Sequence, residues 1–183
     1  MDVITAFLNG TLHEEIYITQ PEGYIKPGTA HQVCRLLKSL YGLKQASRVW
    51  YETFDTFLLS QGFLKCTSDP NVYIKRSHNS ILLLGLYIDD LVLISDNFQF
   101  LTVTKAIFNQ RFSMTDNNEI GYILGIQIQR DRFHKTLLLS QEKYINDLLT
   151  KFNMATSQLR RLSKLVFDTH ATNLTIFHLP NNT

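Results

Sequence analysis

The sequence predicts an α+β fold, an antiparallel sheet with helices packed on one of its faces. Three observations lead there. Leu43 to Gln61 repeats apolar residues at helical spacing, and Phe100 to Phe112 carries a second such stripe. Ile81 to Ile88 and Leu91 to Ile94 are strand-length apolar runs, interrupted only by Asp89-Asp90. The gaps between these segments hold turn residues, so the runs read as separate elements.

Along the chain, Asp2 to Leu8 is a short mixed run ending at the turn signal Asn9-Gly10. Glu15 to Gln20 alternates polar and apolar residues, the pattern of a half-buried strand. Pro21, Gly23, Pro27 and Gly28 then predict a loop. In the first helix Leu43, Ala46, Trp50, Phe54, Phe57 and Leu58 share one face, with Gly62 as a natural stop. Trp50 reads as core filling. Val72 to Lys75 is a predicted strand, and Ser77 to Ser80 a turn. The second helix buries Leu101, Ile107, Phe108 and Phe112. Tyr122 to Gln129 and Thr136 to Leu139 form a hairpin around Asp131 to Lys135. Ser140 can cap a last helix whose buried stripe is Tyr144, Ile145, Leu148, Leu149 and Phe152. Leu159, Leu162, Leu165 and Val166 would extend that helix, and residues 173–183 have no clear period.

The 183 residues, 44% of them hydrophobic, suffice for one domain with a real core and exclude a disordered tail. The net charge of +2 comes from the end of the chain, where Arg160, Arg161 and Lys164 outnumber Asp168. The charges before Ser157 balance, so nucleic-acid binding would have to rest on local charge. Cys34 and Cys66 form no CxxC pair, which excludes a disulfide framework or zinc ribbon and fits reduced thiols in an intracellular protein. The longest apolar run is too short to span a bilayer, and no signal-peptide pattern opens the chain.

Asp89-Asp90 is the most informative pair. Aspartates avoid strands, and buried charge without compensation is costly. Two readings stand open from the residues alone: an exposed turn, or a metal site. Neighbouring strand residues point to opposite faces, so a metal site there calls for a third carboxylate from elsewhere. Asp2 is a candidate that pattern alone does not single out.

Four segments carry a family resemblance. They are Met1 to Gly10 (MDVITAFLNG) with Glu14 to Gly23 (EEIYITQPEG), Leu40 to Tyr51 (LYGLKQASRVWY), Tyr87 to Asp90 (YIDD), and Leu124-Gly125-Ile126 with Leu139 to Met154 (LSQEKYINDLLTKFNM). In this order they resemble the reverse transcriptase domain of Ty1/copia-type retrotransposons. The resemblance covers residues 1–156, a partial palm with the start of the following helical region, and leaves 157–183 as a divergent tail.

The resemblance implies a palm-like sheet and RNA-directed DNA polymerisation. It implies that Asp2, Asp89 and Asp90 are catalytic and bind two Mg²⁺ ions, with an RNA or DNA template-primer and deoxynucleotides as partners. It places Phe7 under the sugar, where an aromatic wall would clash with a 2′-OH; a core phenylalanine is the plain alternative. Gly42, Lys44 and Gln45 would border the nucleotide, although Lys44 and Arg48 read equally well as solvated helix charges. The chain departs from the family pattern at Ser47, where proline is commoner, and at Asn117-Asn118, where a leucine-glycine pair is usual.

A strand beginning at residue 2 is expected to be incompletely formed, with Asp2 poorly anchored. The expectation is therefore a fragment inactive alone. One alternative is a subunit completed by polymerase segments supplied in trans. Another is a non-catalytic nucleic-acid-binding or structural protein that reuses the palm.

Overall fold

The computed structural model describes residues 1–77, 79–156 and the backbone of a strand at 175–178. The helix extension expected around Leu159 to Val166 lies outside these residues. The chain divides into two units, Met1–Asn118 and Glu119–Thr183.

In the first unit, β1 (Asp2–Val3) leads into a 3-10 turn at Ala6–Asn9. Next come β2 (Tyr17–Thr19) and β3 (Val33–Arg35), which pair with each other as a two-stranded ribbon. Helix α1 (Ala46–Ser60) precedes β4 (Leu64–Lys65), β5 (Val72–Ser77), β6 (Ser80–Tyr87) and β7 (Asp90–Ser95). Helix α2 (Phe98–Arg111) and β8 (Met114–Thr115) complete it. The main sheet is antiparallel, in the order β4-β5-β6-β7-β1-β8.

The alternation along β6 decides which face is covered. Leu82, Leu84 and Leu86 are buried, and Tyr73 and Leu91 on the neighbouring strands join the same core. Trp50, Phe54 and Leu58 of α1 and Phe108 of α2 close over them. Phe54 meets Phe108 edge-on at 6.0 Å, so the two helices share one aromatic seam on one sheet face. Such aromatic pairs add about 0.5–1.5 kcal/mol each beyond the area they bury. The opposite face carries the row Ile74, Leu83, Ile94, of which Ile94 is exposed.

Element ends differ from the sequence expectation for local reasons. The first helix begins at Ala46, because Gly42 has φ 94° and Leu40 to Ala46 is taken up in turns. The second begins earlier than expected, because Asn97 caps it by accepting from the Phe100 N–H at 3.1 Å. Strand β3 was not expected, since the proline- and glycine-rich loop hides three residues of strand after it.

The second unit has β9 (Tyr122–Ile123), β10 (Ile126–Asp131), β11 (Thr136–Ser140), α3 (Glu142–Lys151) and β12 (Thr175–His178). Its sheet order is β12-β11-β10-β9. The expected strand at Tyr122 to Gln129 is broken by a two-residue hairpin at Leu124-Gly125, both residues with positive φ. Ser140 accepts from the Glu142 N–H at 3.1 Å, close to its expected capping role. The apolar stripe of α3 is not buried as expected: Tyr144, Ile145, Leu149 and Phe152 are exposed. Helical spacing predicts the stripe but not what covers it. Among the described residues no helix is long and apolar enough to cross a membrane.

Candidate active site

β6 and β7 meet in a two-residue turn, Ile88-Asp89, closed by the pairing of Tyr87 with Asp90. The acidic pair is thus split: Asp89 sits in the turn and Asp90 opens the strand. Ile88 has φ 54°. A β-branched residue in the left-handed region is a strained conformation, costing on the order of 1–3 kcal/mol, which surrounding contacts must hold in place.

Two such contacts reach successive carbonyls of the turn. The Trp50 indole Nε1–H donates to the Ile88 carbonyl at 2.6 Å, and the Val3 N–H donates to the Asp89 carbonyl at 2.9 Å. Trp50 is buried as its spacing predicted. Its hydrogen bond to the turn had no signal in the sequence, because the partner is a backbone atom 38 positions away.

β1 lies between β7 and β8, and Asp2 pairs with Asp90 on one side and Thr115 on the other. The Met1 nitrogen donates to the Leu91 carbonyl at 2.9 Å, and the Leu91 N–H donates back to the Met1 carbonyl at 2.8 Å. On the far side the Ile4 N–H donates to the Ser113 carbonyl at 2.9 Å. The expectation of a poorly anchored Asp2 is therefore corrected. The strand is short, but it is an interior strand bonded on both edges.

The register also sets the geometry of the carboxylates. Met1 and Leu91 exchange both hydrogen bonds, so Asp2 and Asp90 form the adjoining non-hydrogen-bonded pair, in which side chains stand closest, with Cα atoms about 4.5 Å apart. Val3 and Leu91 turn into the helix-covered core. Their neighbours Asp2 and Asp90 therefore project from the uncovered face. A row Tyr87, Asp90, Asp2, Thr115 crosses four strands on that face.

The electrostatics agree with this crowding. The Asp90 carboxyl is pushed above the ordinary carboxylate range, first by burial and then by the charges of Asp89 and Asp2. The Met1 ammonium opposes this shift, and no lysine or arginine is among the groups acting on the carboxyl. Among the described residues no three His, Cys, Asp or Glu side chains converge as a ready-made metal cage. The donor set nevertheless fits magnesium, which takes oxygen ligands and fills its shell with water and substrate phosphates around one or two carboxylates.

Phe7 lies in the 3-10 turn after β1, half-buried, its ring 4.7 Å from that of Tyr41. It borders a cavity of about 220 Å³ together with Trp50, Tyr51, Tyr87 and Ile88. Gly42 and Lys44 are exposed, and Gln45 precedes the first residue of α1. This loop is joined to the site through the Tyr41–Phe7 contact. Arg48 pairs with Glu14 at 3.0 Å, the solvated helix charge that was one of its two readings.

Comparison with known proteins then decides the family. The model of the family described as "Reverse transcriptase (RNA-dependent DNA polymerase)" matches residues 1–163. The chain belongs to this reverse transcriptase family. It is 49% identical over 155 residues to the retrovirus-related Pol polyprotein from transposon TNT 1-94 of Nicotiana tabacum, a match covering 84% of this chain and 12% of the polyprotein. It is 40% identical over 158 residues to the Pol polyprotein from transposon RE1 of Arabidopsis thaliana, covering 86% of this chain and 11% of that one. The putative transposon Ty5-1 protein YCL074W of Saccharomyces cerevisiae is 29% identical over 178 residues, covering 95% of this chain and 58% of its own. The chain thus spans only about a tenth of the length of the two Pol polyproteins. No solved structure matches it significantly.

Proposed function

We propose that this chain is the palm segment of a copia-type reverse transcriptase, in which Asp2, Asp89 and Asp90 hold two magnesium ions for deoxynucleotide addition to a primer 3′-OH. One observation carries the reading: Asp2 stands opposite Asp90 on the uncovered sheet face, with Asp89 beside them in the turn. When bound, the ions supply charge neutralisation at the attacking oxygen and the triphosphate.

The chain's own contribution is placement. The sheet brings carboxylates 88 positions apart into register, and the turn adds a third. The close like charges cost stability in the absence of a cation and favour its capture. Phe7, propped by Tyr41, is assigned to the sugar of the incoming nucleotide. Gly42, Lys44 and Gln45 are assigned to its border with the template-primer.

The isolated chain is proposed to be inactive. The one cation acting on Asp90 is the Met1 ammonium, with no lysine or arginine beside it, which supports a triphosphate grip completed by additional polymerase segments, in cis or in trans. Two measurements test the reading. Mn²⁺, a paramagnetic stand-in for Mg²⁺, is expected to broaden the amide signals around Asp2 and Asp90, and Asp89→Ala should weaken the effect. Identical titrations of the two proteins would sink the metal assignment. Primer extension on an RNA template is expected to give no product. Extension that disappears in both Asp89→Ala and Asp90→Ala would overturn the inactivity and make the chain a minimal polymerase.

A further inference from the structure

We infer that Trp50 is a positioning residue for the acidic turn: its indole N–H, through the Ile88 carbonyl, holds the Ile88-Asp89 turn and so sets where Asp89 and Asp90 stand relative to Asp2. Four observations carry this. The bond is short, 2.6 Å, and its donor side chain is 1% exposed. The acceptor belongs to the strained residue itself, Ile88 at φ 54°. The turn's side chains give little packing of their own, since Tyr87 and Ile88 are exposed and the cavity of about 220 Å³ lies against them. Finally, the donor is rigid. Trp50 is packed against Phe54 at 5.2 Å and edge-on against Phe112 at 5.3 Å, which locks the direction of its N–H.

Together with the Val3 N–H on the next carbonyl, the indole makes a two-point support drawn from two different elements. Val3 ties the turn to the strand that carries Asp2, and Trp50 ties it to the helix. An indole that only filled the core would need some acceptor for its buried N–H. That plain role predicts that losing the N–H lowers global stability without loosening the turn. The positioning role predicts the reverse emphasis.

The test replaces Trp50 in the full 183-residue chain with 3-benzothienylalanine, which keeps the ring shape and carries sulfur in place of the N–H. Trp50→Phe is the second variant. The first readout is backbone ¹⁵N relaxation at Asp89 and Asp90, with Leu84 and Phe108 as core controls. The turn amides are expected to fall from a rigid order parameter near ~0.85 to below about 0.6, with the controls unchanged. Turn order equal to that of the natural chain would overturn the inference, whether or not any metal binds.

The second readout is Mn²⁺ affinity, and it alone rests on the metal assignment above. A weakening of about tenfold is expected, the size seen when a group that orients metal ligands is removed. Loss of turn order with unchanged affinity would overturn the positioning role. If the natural chain binds no Mn²⁺ that Asp89→Ala removes, the metal assignment fails, and the relaxation data still decide whether Trp50 holds the turn.

Discussion

Asp2 and Asp90 face each other as a non-hydrogen-bonded pair in adjoining antiparallel strands. Like charges directly opposed across strands destabilise a sheet. The Met1 ammonium offsets part of this cost, and a bound cation or a proton relieves the rest.

Asp90→Asn should therefore stabilise the metal-free fold at pH 7. The sign follows from proton linkage. Asp90 titrates above its ordinary value in the folded chain, so the folded state holds the extra proton as pH rises through that window, and stability falls. Above the window the penalty is complete; below the ordinary carboxylate range it is absent. Thermal melts at pH 7 and pH 3 check this. A gain of about 1 kcal/mol corresponds to roughly 2–4 °C for a chain of this size. An equal gain at both pH values would refute the electrostatic account.

The other flank of β1 depends on an ion pair of opposite sense. The Lys105 ammonium of α2 lies 2.9 Å from the Asp116 carboxylate, just after β8. Burial alone would raise the Asp116 carboxyl, but the Lys105 hydrogen bond and the Asn118 N–H outweigh it and hold it below the ordinary range. Its stabilisation is thus present above the ordinary value and lost as pH falls through the depressed one. Lys105→Met should cost about 0.5–1 kcal/mol at pH 7, the partly exposed pair being screened by solvent, and less at pH 2. Urea melts at the two pH values measure it.

Gly10 is where the loop after Phe7 touches α1. A Cβ there would lie 2.7 Å from Val49 Cγ1 and 3.4 Å from the Trp50 backbone nitrogen. Gly10→Ala should destabilise by about 1–3 kcal/mol through overpacking. Because the close atom is one valine methyl, Gly10→Ala with Val49→Ala should cost less than the sum of the two single changes. A double-mutant cycle tests the coupling, and strict additivity would place the strain elsewhere.

Much of the fold was legible in the residues because it rests on local periodicity. The stripe of Trp50, Phe54 and Leu58 and the alternation of Leu82, Leu84 and Leu86 each specify an element and its buried face. The ordered motifs, from MDVITAFLNG to YIDD, were enough to point to the family and to single out Asp2, Asp89 and Asp90.

Other features depend on which distant segments meet, and no local pattern encodes that. The anchoring of Asp2 is one: two residues make a stable strand only because β7 and β8 bond them from both sides. The division of the acidic pair between turn and strand is another, fixed by the Tyr87–Asp90 register. Trp50 shows the distinction within one side chain. Its burial follows from helical spacing, which the sequence contains. Its bond to Ile88 follows from the direction of an N–H toward a carbonyl 38 positions away, which only the packing of helix on sheet decides.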